Sequence, residues 1–228
     1  MIFFNALADD TILYGSGLTK LLVSSVEINN QKILDTLNMK KMYELIVFLL
    51  NIPRLLPAIS VYLTISVSIR SQINIDMEGG GIFALVKYMS LYKHWRNIFY
   101  YRIGNVKYFI QWLCPEEHSI SIPASTPIGT HLVLVHAINS FINAESIGDN
   151  FKCYQNVTIG SNKNKRPVIG NNVTLYTSSI VIGNICIGNN VEIGAGAVVT
   201  KSVPDNCVVI GNPARIIKLD GGKVNILL

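Results

Sequence analysis

The chain has 228 residues, with 19 Lys and Arg residues against 14 Asp and Glu residues, and 50% of it is hydrophobic. Only 14% of the residues are charged, whereas disordered chains combine low hydrophobicity with high charge, so intrinsic disorder is excluded. The net charge of +5 suits an anionic small molecule or surface. No cluster of Lys and Arg marks a face that binds nucleic acid.

The four cysteines, Cys114, Cys153, Cys186 and Cys207, lie far apart and form no C-x-x-C pair. Their spacing argues against a zinc site, a redox motif or a disulfide scaffold. The N-terminus lacks the basic segment that begins a secretory signal. We therefore expect reduced thiols in a cytoplasmic protein.

Large apolar and aromatic side chains dominate residues 39–119 and predict a helical region. Pro53, Arg54 and Pro57 interrupt the apolar stretch 43–69. Its uncharged run 55–69 is shorter than the ~20 residues of a membrane-spanning helix. We interpret it as a helix buried in the protein, with a helix on a membrane surface as the alternative. Apolar spacing in residues 83–101 predicts one amphipathic helix. Residues 1–38 are either an N-terminal extension of the native protein or lie upstream of its true start site.

From residue 120 to 218 the chain repeats with a period of six. Successive hexads after Ile169 begin with an aliphatic residue, and their fifth position is small or β-branched. The fifth positions are Val173, Ser179, Ile185, Val191 and Ala197. Positions one and five face the same way along a strand, and Gly-Asn and Asn-Asn steps form corners. Such repeats stack into a solenoid around one aliphatic column. We treat residues 219–228 as a C-terminal tail.

The repeat resembles the left-handed parallel β-helix of the hexapeptide acyltransferases. The stretch I-G-A-G-A-V-V-T-K-S-V-P from Ile193, followed by G-N-P-A-R from Gly211, is similar to the end of serine acetyltransferases and related sugar-modifying enzymes. The segment L-V-L-V-H ending at His136, and N-V-T-I-G from Asn156, resemble the serine acetyltransferase branch. The segment from His94 to Gly104 resembles the helix that leads into the solenoid in polysaccharide-associated members. The fold expected is a mainly β, left-handed parallel β-helix after an α-helical N-terminal region.

This resemblance implies direct transfer of acetyl from acetyl-CoA to a hydroxyl. His136 is the candidate general base, because a histidine titrates near neutrality and this one holds the motif position. The residues in the places of the family's orienting aspartate and second histidine are Ser121 and Arg166. We expect both at the substrate edge. Three candidates remain for the group that replaces the family's aspartate as the partner of His136: Glu116, Glu117 or a backbone carbonyl.

The resemblance also implies a coenzyme A groove between the subunits of a homotrimer. The residues that it assigns to the groove are Thr177, Ser179, Ala195, Ala197, Lys201 and Arg215. Small side chains would let the pantetheine arm approach the backbone, and the two basic residues would meet phosphates. Packing within the solenoid and exposed, solvated charges are the alternatives.

His131 and His136 form an H-x4-H pair, but a catalytic zinc needs three protein ligands. His118 lies too close in sequence, and His94 precedes the solenoid, so we expect no metal and place His131 at the substrate edge. For the acceptor we favour a sugar of a surface polysaccharide, with L-serine as the alternative and a non-catalytic scaffold as the remaining hypothesis. The apolar N-terminal region suits work at the inner face of a membrane, by peripheral contact.

Overall fold

The computed structural model describes the backbone of residues 18–228, and side chains from residue 38 onward. The chain divides into two units, residues 1–46 and 47–228. Helix α1, Leu18–Thr64, runs through the boundary between them. Residues 1–17 of the predicted extension, 1–38, lie outside the described residues, and the part from Leu18 is helical.

Pro53 and Pro57, which interrupt the apolar stretch in the sequence, lie inside α1 and do not end it. The C-terminal part of α1 is buried on one face only. Leu55, Ala58 and Tyr62 are buried, whereas Leu56 is 57% exposed. The helix expected to be buried over 55–69 is therefore buried along one face and exposed along the other, and it ends at Thr64. Among the described helices, only the segment Asn38–Thr64, with a mean hydropathy of 1.8, is long and apolar enough to cross a membrane.

Three more α-helices and one 3-10 helix follow: α2 (Val67–Asp76), α3 (Ile82–Leu91), α4 (Lys93–Ile103) and the 3-10 helix Gly104–Phe109. The single helix predicted over 83–101 is thus two helices. The break is at Tyr92, whose backbone is extended. Arg96 explains the break, because its Nε donates to the carbonyl of Met89 at 2.6 Å and satisfies a carbonyl in the last turn of α3.

Short strands fill the rest of the chain. They are β1 (Ile120–Ser121), β2 (Val133–Leu134), β3 (Ser140–Ile142), β4 (Ser146–Ile147), β5 (Lys152–Cys153), β6 (Thr158–Gly160), β7 (Val168–Ile169), β8 (Thr174–Leu175), β9 (Ile180–Ile182), β10 (Cys186–Ile187), β11 (Glu192–Ile193), β12 (Val198–Val199), β13 (Cys207–Ile210), β14 (Arg215–Leu219) and β15 (Gly222–Leu227).

The strands form three sheets that each run the length of a parallel solenoid. Their orders are β1-β3-β6-β9-β12, β4-β7-β10 and β2-β5-β8-β11-β13, and the last sheet continues antiparallel into β14 and β15. The expected parallel β-solenoid after a helical region is confirmed. The last ten residues, expected as a tail, contain β15, which pairs with β14.

The buried interior of the solenoid is formed by positions one and five of the hexads. Aliphatic residues at position one, such as Leu175 and Ile193, have no exposed surface, and the position-five residues Val173 and Val191 are also fully buried. The glycine that follows Ile169 allows neighbouring coils to approach closely. A Cβ atom at Gly170 would lie 2.8 Å from the backbone of Gly188 in the next coil. Glycine at this position of the hexad thus permits the close spacing of the coils.

A ladder of asparagine side chains follows one corner of the solenoid. Asn150, Asn172, Asn190 and Asn206 all have a left-handed backbone, with φ between 55° and 57°. Each side-chain amide donates to the next residue's Oδ1 at 2.8 Å, and the series ends on Asp220. Asparagine tolerates this conformation better than most residues, so these positions specify where each coil turns.

Helix α4 connects the helical region to the first coil by buried polar contacts. Arg102 donates two hydrogen bonds to Asp76 of α2, at 2.7 and 3.1 Å, and two more to the carbonyls of Ile128 and Gly129. The same carboxylate accepts the backbone N–H of Leu132 at 2.8 Å. These contacts fix α4 against the coil that carries the candidate base.

Candidate active site

His136 lies on an enlarged corner of the solenoid. Eight positions separate Leu134 from Ile142, whereas six separate their register partners Cys153 and Ile159 in the next coil. The additional residues form the turn around His136, whose φ is 48° and whose carbonyl accepts the N–H of Ile138 at 2.7 Å. The imidazole is consequently exposed on the outside of the solenoid.

The side chain next to the His136 ring comes from helix α4. The ring of His94 lies edge-on to His136, with 5.8 Å between the centroids and 60° between the planes. His94 is half-buried in the first turn of α4. Burial lowers the pKa of His94, and a charge on His136 lowers it further. Within the described residues, the His136 ring has no hydrogen-bond partner.

The two acidic residues considered as partners for His136 have other contacts. Glu116 accepts a hydrogen bond from Lys107 at 3.1 Å. Glu117 accepts one from the hydroxyl of Ser119 at 3.2 Å, and its backbone is held by the amide of Asn97. Neither carboxylate is therefore engaged with the candidate base.

The two substituted family positions lie in the first coils. Ser121 is exposed on β1, where it pairs with Phe141 of β3. Arg166 ends the loop between β6 and β7 and is turned back toward the first coils. Its guanidinium donates to the carboxylate of Glu145 at 2.9 and 3.1 Å and to the hydroxyl of Ser125 at 3.1 Å. Arg166 therefore connects the loop to earlier coils through an ion pair.

The structure gives His131 a role in the corner ladder. Its backbone has the left-handed φ of the asparagine positions, 58°. Its Nδ1 lies 2.8 Å from Oδ1 of Asn150, and its Nε2 lies 3.7 Å from a carboxylate oxygen of Glu78. His131 thus occupies the first position of the ladder. No group of three or more His, Cys, Asp or Glu side chains placed to hold a metal ion occurs in the part of the chain that the structure describes.

Two of the residues assigned to the coenzyme A groove stand in register below His136. The partners Leu134, Cys153, Leu175 and Ile193 align on successive coils. Two positions after each of them come His136, Gln155, Thr177 and Ala195. Thr177 is half-buried and Ala195 is exposed. The corner beneath the candidate base therefore carries Gln155 in the next coil and the smaller Thr177 and Ala195 in the two coils after it.

Ser179 and Ala197 point the other way. Both have no exposed surface and lie in the interior column that includes Ser140 and Val157, because their strands pair in that register. Among the described residues, the Ser179 hydroxyl has no hydrogen-bond partner. Their expected side-chain contact with coenzyme A is thus corrected: both side chains fill the core, whereas a ligand binds outside it.

The two basic residues assigned to phosphates are exposed. Lys201 follows β12 at another corner of the coil, and Arg215 begins β14. Arg215 donates to the side-chain oxygen of Asn225 at 2.8 Å. The structure thus leaves both cations on the surface.

A family model described as bacterial transferase hexapeptide (six repeats) matches residues 166–201. The serine acetyltransferase of Staphylococcus aureus is 34% identical over 150 residues, which cover 61% of this chain and 70% of that protein. The enzyme of the same name from Staphylococcus epidermidis is 32% identical over 160 residues, or 68% of this chain and 73% of that protein. The chain belongs to the serine acetyltransferase family.

A solved relative agrees with this assignment. The crystal structure of Neisseria gonorrhoeae serine acetyltransferase in complex with serine superposes with a TM-score of 0.56 at 26% identity, covering 68% of this chain and 72% of that one. The predicted family and fold are confirmed, and the chain is a hexapeptide-repeat acyltransferase.

One candidate functional residue was missed from the sequence. His94 was set aside because it precedes the solenoid, yet α4 places it against His136. The signal that identifies it is the segment H-W-R-N-I-F-Y-Y-R-I-G, in which Trp95, Arg96, Asn97 and Arg102 are buried. A helix with so many buried polar residues must pack tightly on its neighbours, which here are α2, α3, the segment 115–117 and, through Arg102, the first coil.

Proposed function

We propose that this chain transfers acetyl from acetyl-CoA to a hydroxyl, with His136 as the general base and L-serine as the acceptor. The observation that best supports this proposal is the exposed His136, which lies on the enlarged corner of a solenoid that the serine acetyltransferases share. The names of the relatives favour serine over the sugar expected from the sequence.

The chemistry needs a base that is neutral near pH 7 and can then carry a proton. His136 would take the proton of the acceptor hydroxyl as its oxygen attacks the thioester carbonyl, and would return it to the departing thiolate. The same imidazole serves both proton transfers, and the acetyl group passes directly from the thioester to the acceptor. No covalent acyl group on the protein is therefore required. Cys153, in the coil after His136, does not serve as a nucleophile because burial raises its pKa to about 12.

The surface beneath His136 fits an extended pantetheine arm. Thr177 and Ala195 are small, and Gly196 follows with a left-handed φ of 69° and open space around it. These residues would bind the arm along the corner and hold the thioester close to His136. Lys201 and Arg215 remain candidates for the phosphates.

A sugar hydroxyl is the second candidate acceptor, and a specific observation favours it. Recognition of free serine requires groups for both its ammonium and its carboxylate. Ser121 carries no charge, and the Arg166 guanidinium is already paired with Glu145. A neutral sugar needs neither ionic contact, so these two positions suit it better than they suit an amino acid.

An acceptor screen that follows CoA release tests the proposal. Purified protein with acetyl-CoA is given L-serine, D-serine as the matched control, and a panel of monosaccharides and oligosaccharides. Saturable turnover with L-serine and none with D-serine supports the serine assignment. Turnover on a sugar alone supports the second candidate. If none of the acceptors causes CoA release, acetyl transfer to these acceptors is contradicted.

We also propose that the site is completed in a homotrimer, because the packed interior leaves only the outer surface for ligands. Full activity of a monomer in light scattering would contradict a shared site. A cytoplasmic location is supported by the four free cysteines.

Peripheral contact with the membrane's inner face through the segment Asn38–Thr64 is a separate part of the proposal. Co-sedimentation of the full chain with anionic vesicles tests it. Failure to sediment at low salt would contradict that contact and leave the catalytic proposal intact.

A further inference from the structure

Two imidazoles from distant parts of the chain meet at the enlarged corner. His94 lies in the first turn of α4, and His136 lies in the turn between β2 and β3. The centroids are 5.8 Å apart and the planes cross at 60°, which is the edge-to-face arrangement that aromatic rings prefer. His94 also contacts the ring of Tyr92, 5.9 Å away, so it is held from two sides.

The position of His94 matters because His136 lacks the carboxylate that its family uses to orient the base. Ser121 stands in the corresponding place, and Glu116 and Glu117 are engaged elsewhere. An exposed imidazole on an irregular turn rotates about its side-chain bonds unless something packs against it. Within the described residues, the ring that does so is His94.

We propose that His94 is a positioning residue, whose ring fixes the orientation of the His136 imidazole in place of the missing carboxylate. This inference rests on the proposed function of His136 as the general base. The anchoring of α4 supports it. Arg102 and Asn97, on the same helix, are buried and bound to the solenoid and to the segment that precedes it. His94 is therefore presented from a rigid element.

The charge state of the pair is compatible with base catalysis. Burial lowers the pKa of His94, and His136 acts in the same direction. His94 therefore stays neutral while His136 takes up a proton, and the imidazolium that forms does not face a second positive charge. The titratable side chains against His94 are His136 across the corner and Tyr92 at the start of its own helix.

An NMR titration of the histidine rings tests the contact without requiring any activity. We expect His94 to titrate below the ordinary value of about 6.5 in the wild-type chain. His136→Asn removes the neighbouring charge and is expected to raise the His94 pKa part of the way back. His118→Asn is the matched control, since His118 is exposed, and it leaves the pKa unchanged. An equal His94 pKa in the wild-type and His136→Asn chains overturns the contact.

Kinetics then test the positioning role, with whichever acceptor the screen identifies. We expect His94→Ala to lower kcat about tenfold or more while the KM for acetyl-CoA stays within about twofold, because misorientation affects the chemical step. His94→Phe keeps an aromatic ring and is expected to recover kcat to within about fivefold of wild type.

Wild-type kcat in His94→Ala overturns the proposal. Equal loss in His94→Ala and His94→Phe also overturns it, because ring packing would then not be what positions the base. A wild-type protein with no turnover on any acceptor refutes the proposed function instead, and the NMR coupling still reports whether the rings meet.

Discussion

The guanidinium of Arg102 and the carboxylate of Asp76 form a buried ion pair, with side-chain exposures of 3% and 0% and a shortest N–O distance of 2.7 Å. Their other hydrogen bonds are with the first coil of the solenoid, at Ile128, Gly129 and Leu132. This one pair therefore determines how the helices that carry His94 meet the coil that carries His136.

Arg102→Leu is expected to lower the free energy of unfolding by about 3–5 kcal/mol, because it leaves the Asp76 carboxylate buried without its cation. Urea denaturation followed by circular dichroism measures the loss. The matched control is Arg215→Leu, at an exposed arginine with one side-chain partner, for which about 0.5 kcal/mol is expected. Similar losses in the two variants would contradict the anchoring role of Arg102.

Ser179→Ala is expected to leave the unfolding free energy unchanged or to raise it by about 1 kcal/mol, because the buried hydroxyl has no partner. Val157→Ala, in the same interior column, opens a cavity and is expected to cost about 2 kcal/mol. Thermal unfolding compares the two variants. A weaker affinity for acetyl-CoA in Ser179→Ala, measured by calorimetry, would contradict the interior placement of this side chain.

Gly170→Ala is expected to destabilise the solenoid by about 1–3 kcal/mol, because the added Cβ would lie 2.8 Å from the backbone of Gly188 and would force two coils apart. Gly160→Ala is the matched control. Its nearest neighbour would be a side-chain carbon of Ile182 at an ordinary 3.8 Å. If the two variants have equal melting temperatures, close approach of the coils does not explain the glycine after Ile169.

Asn172 tests the corner ladder, because two substitutions separate its side chain from its backbone. Asn172→Gly removes the hydrogen bonds to Asn150 and Asn190 but keeps the left-handed turn, and is expected to cost about 1 kcal/mol. Asn172→Ala also strains the backbone at φ 56° and is expected to cost about 2 kcal/mol. We predict that the melting temperature is highest with Asn at position 172, lower with Gly and lowest with Ala. An alanine variant as stable as the wild type would contradict this account.

The solenoid was predictable because its physics is local and repeated. Position one and position five of each hexad face inward, and the structure buries both. The same rule shows why Ser179 and Ala197 are interior: they hold position five. His131 holds position four, the place of Asn150 and Asn172, so alignment of the hexads would have identified it as a ladder residue.

The site was less predictable because its contacts are not local. The separation of Leu134 from Ile147 exceeds two hexads by one residue, but this excess does not reveal the enlarged corner of His136. The pairing of His94 with His136 joins residues 42 positions apart through a helix whose placement depends on a buried ion pair. Sequence spacing carries no information on such a contact.

The most direct test of the central claim is the rate of CoA release from acetyl-CoA by His136→Asn, with the acceptor identified in the screen. Asparagine tolerates the φ of 48° at this position, so the turn is preserved and only the base is lost. We predict that kcat falls about 10²–10⁴-fold with an unchanged melting temperature. A folded His136→Asn chain that turns over at the wild-type rate would contradict the assignment of His136 as the base.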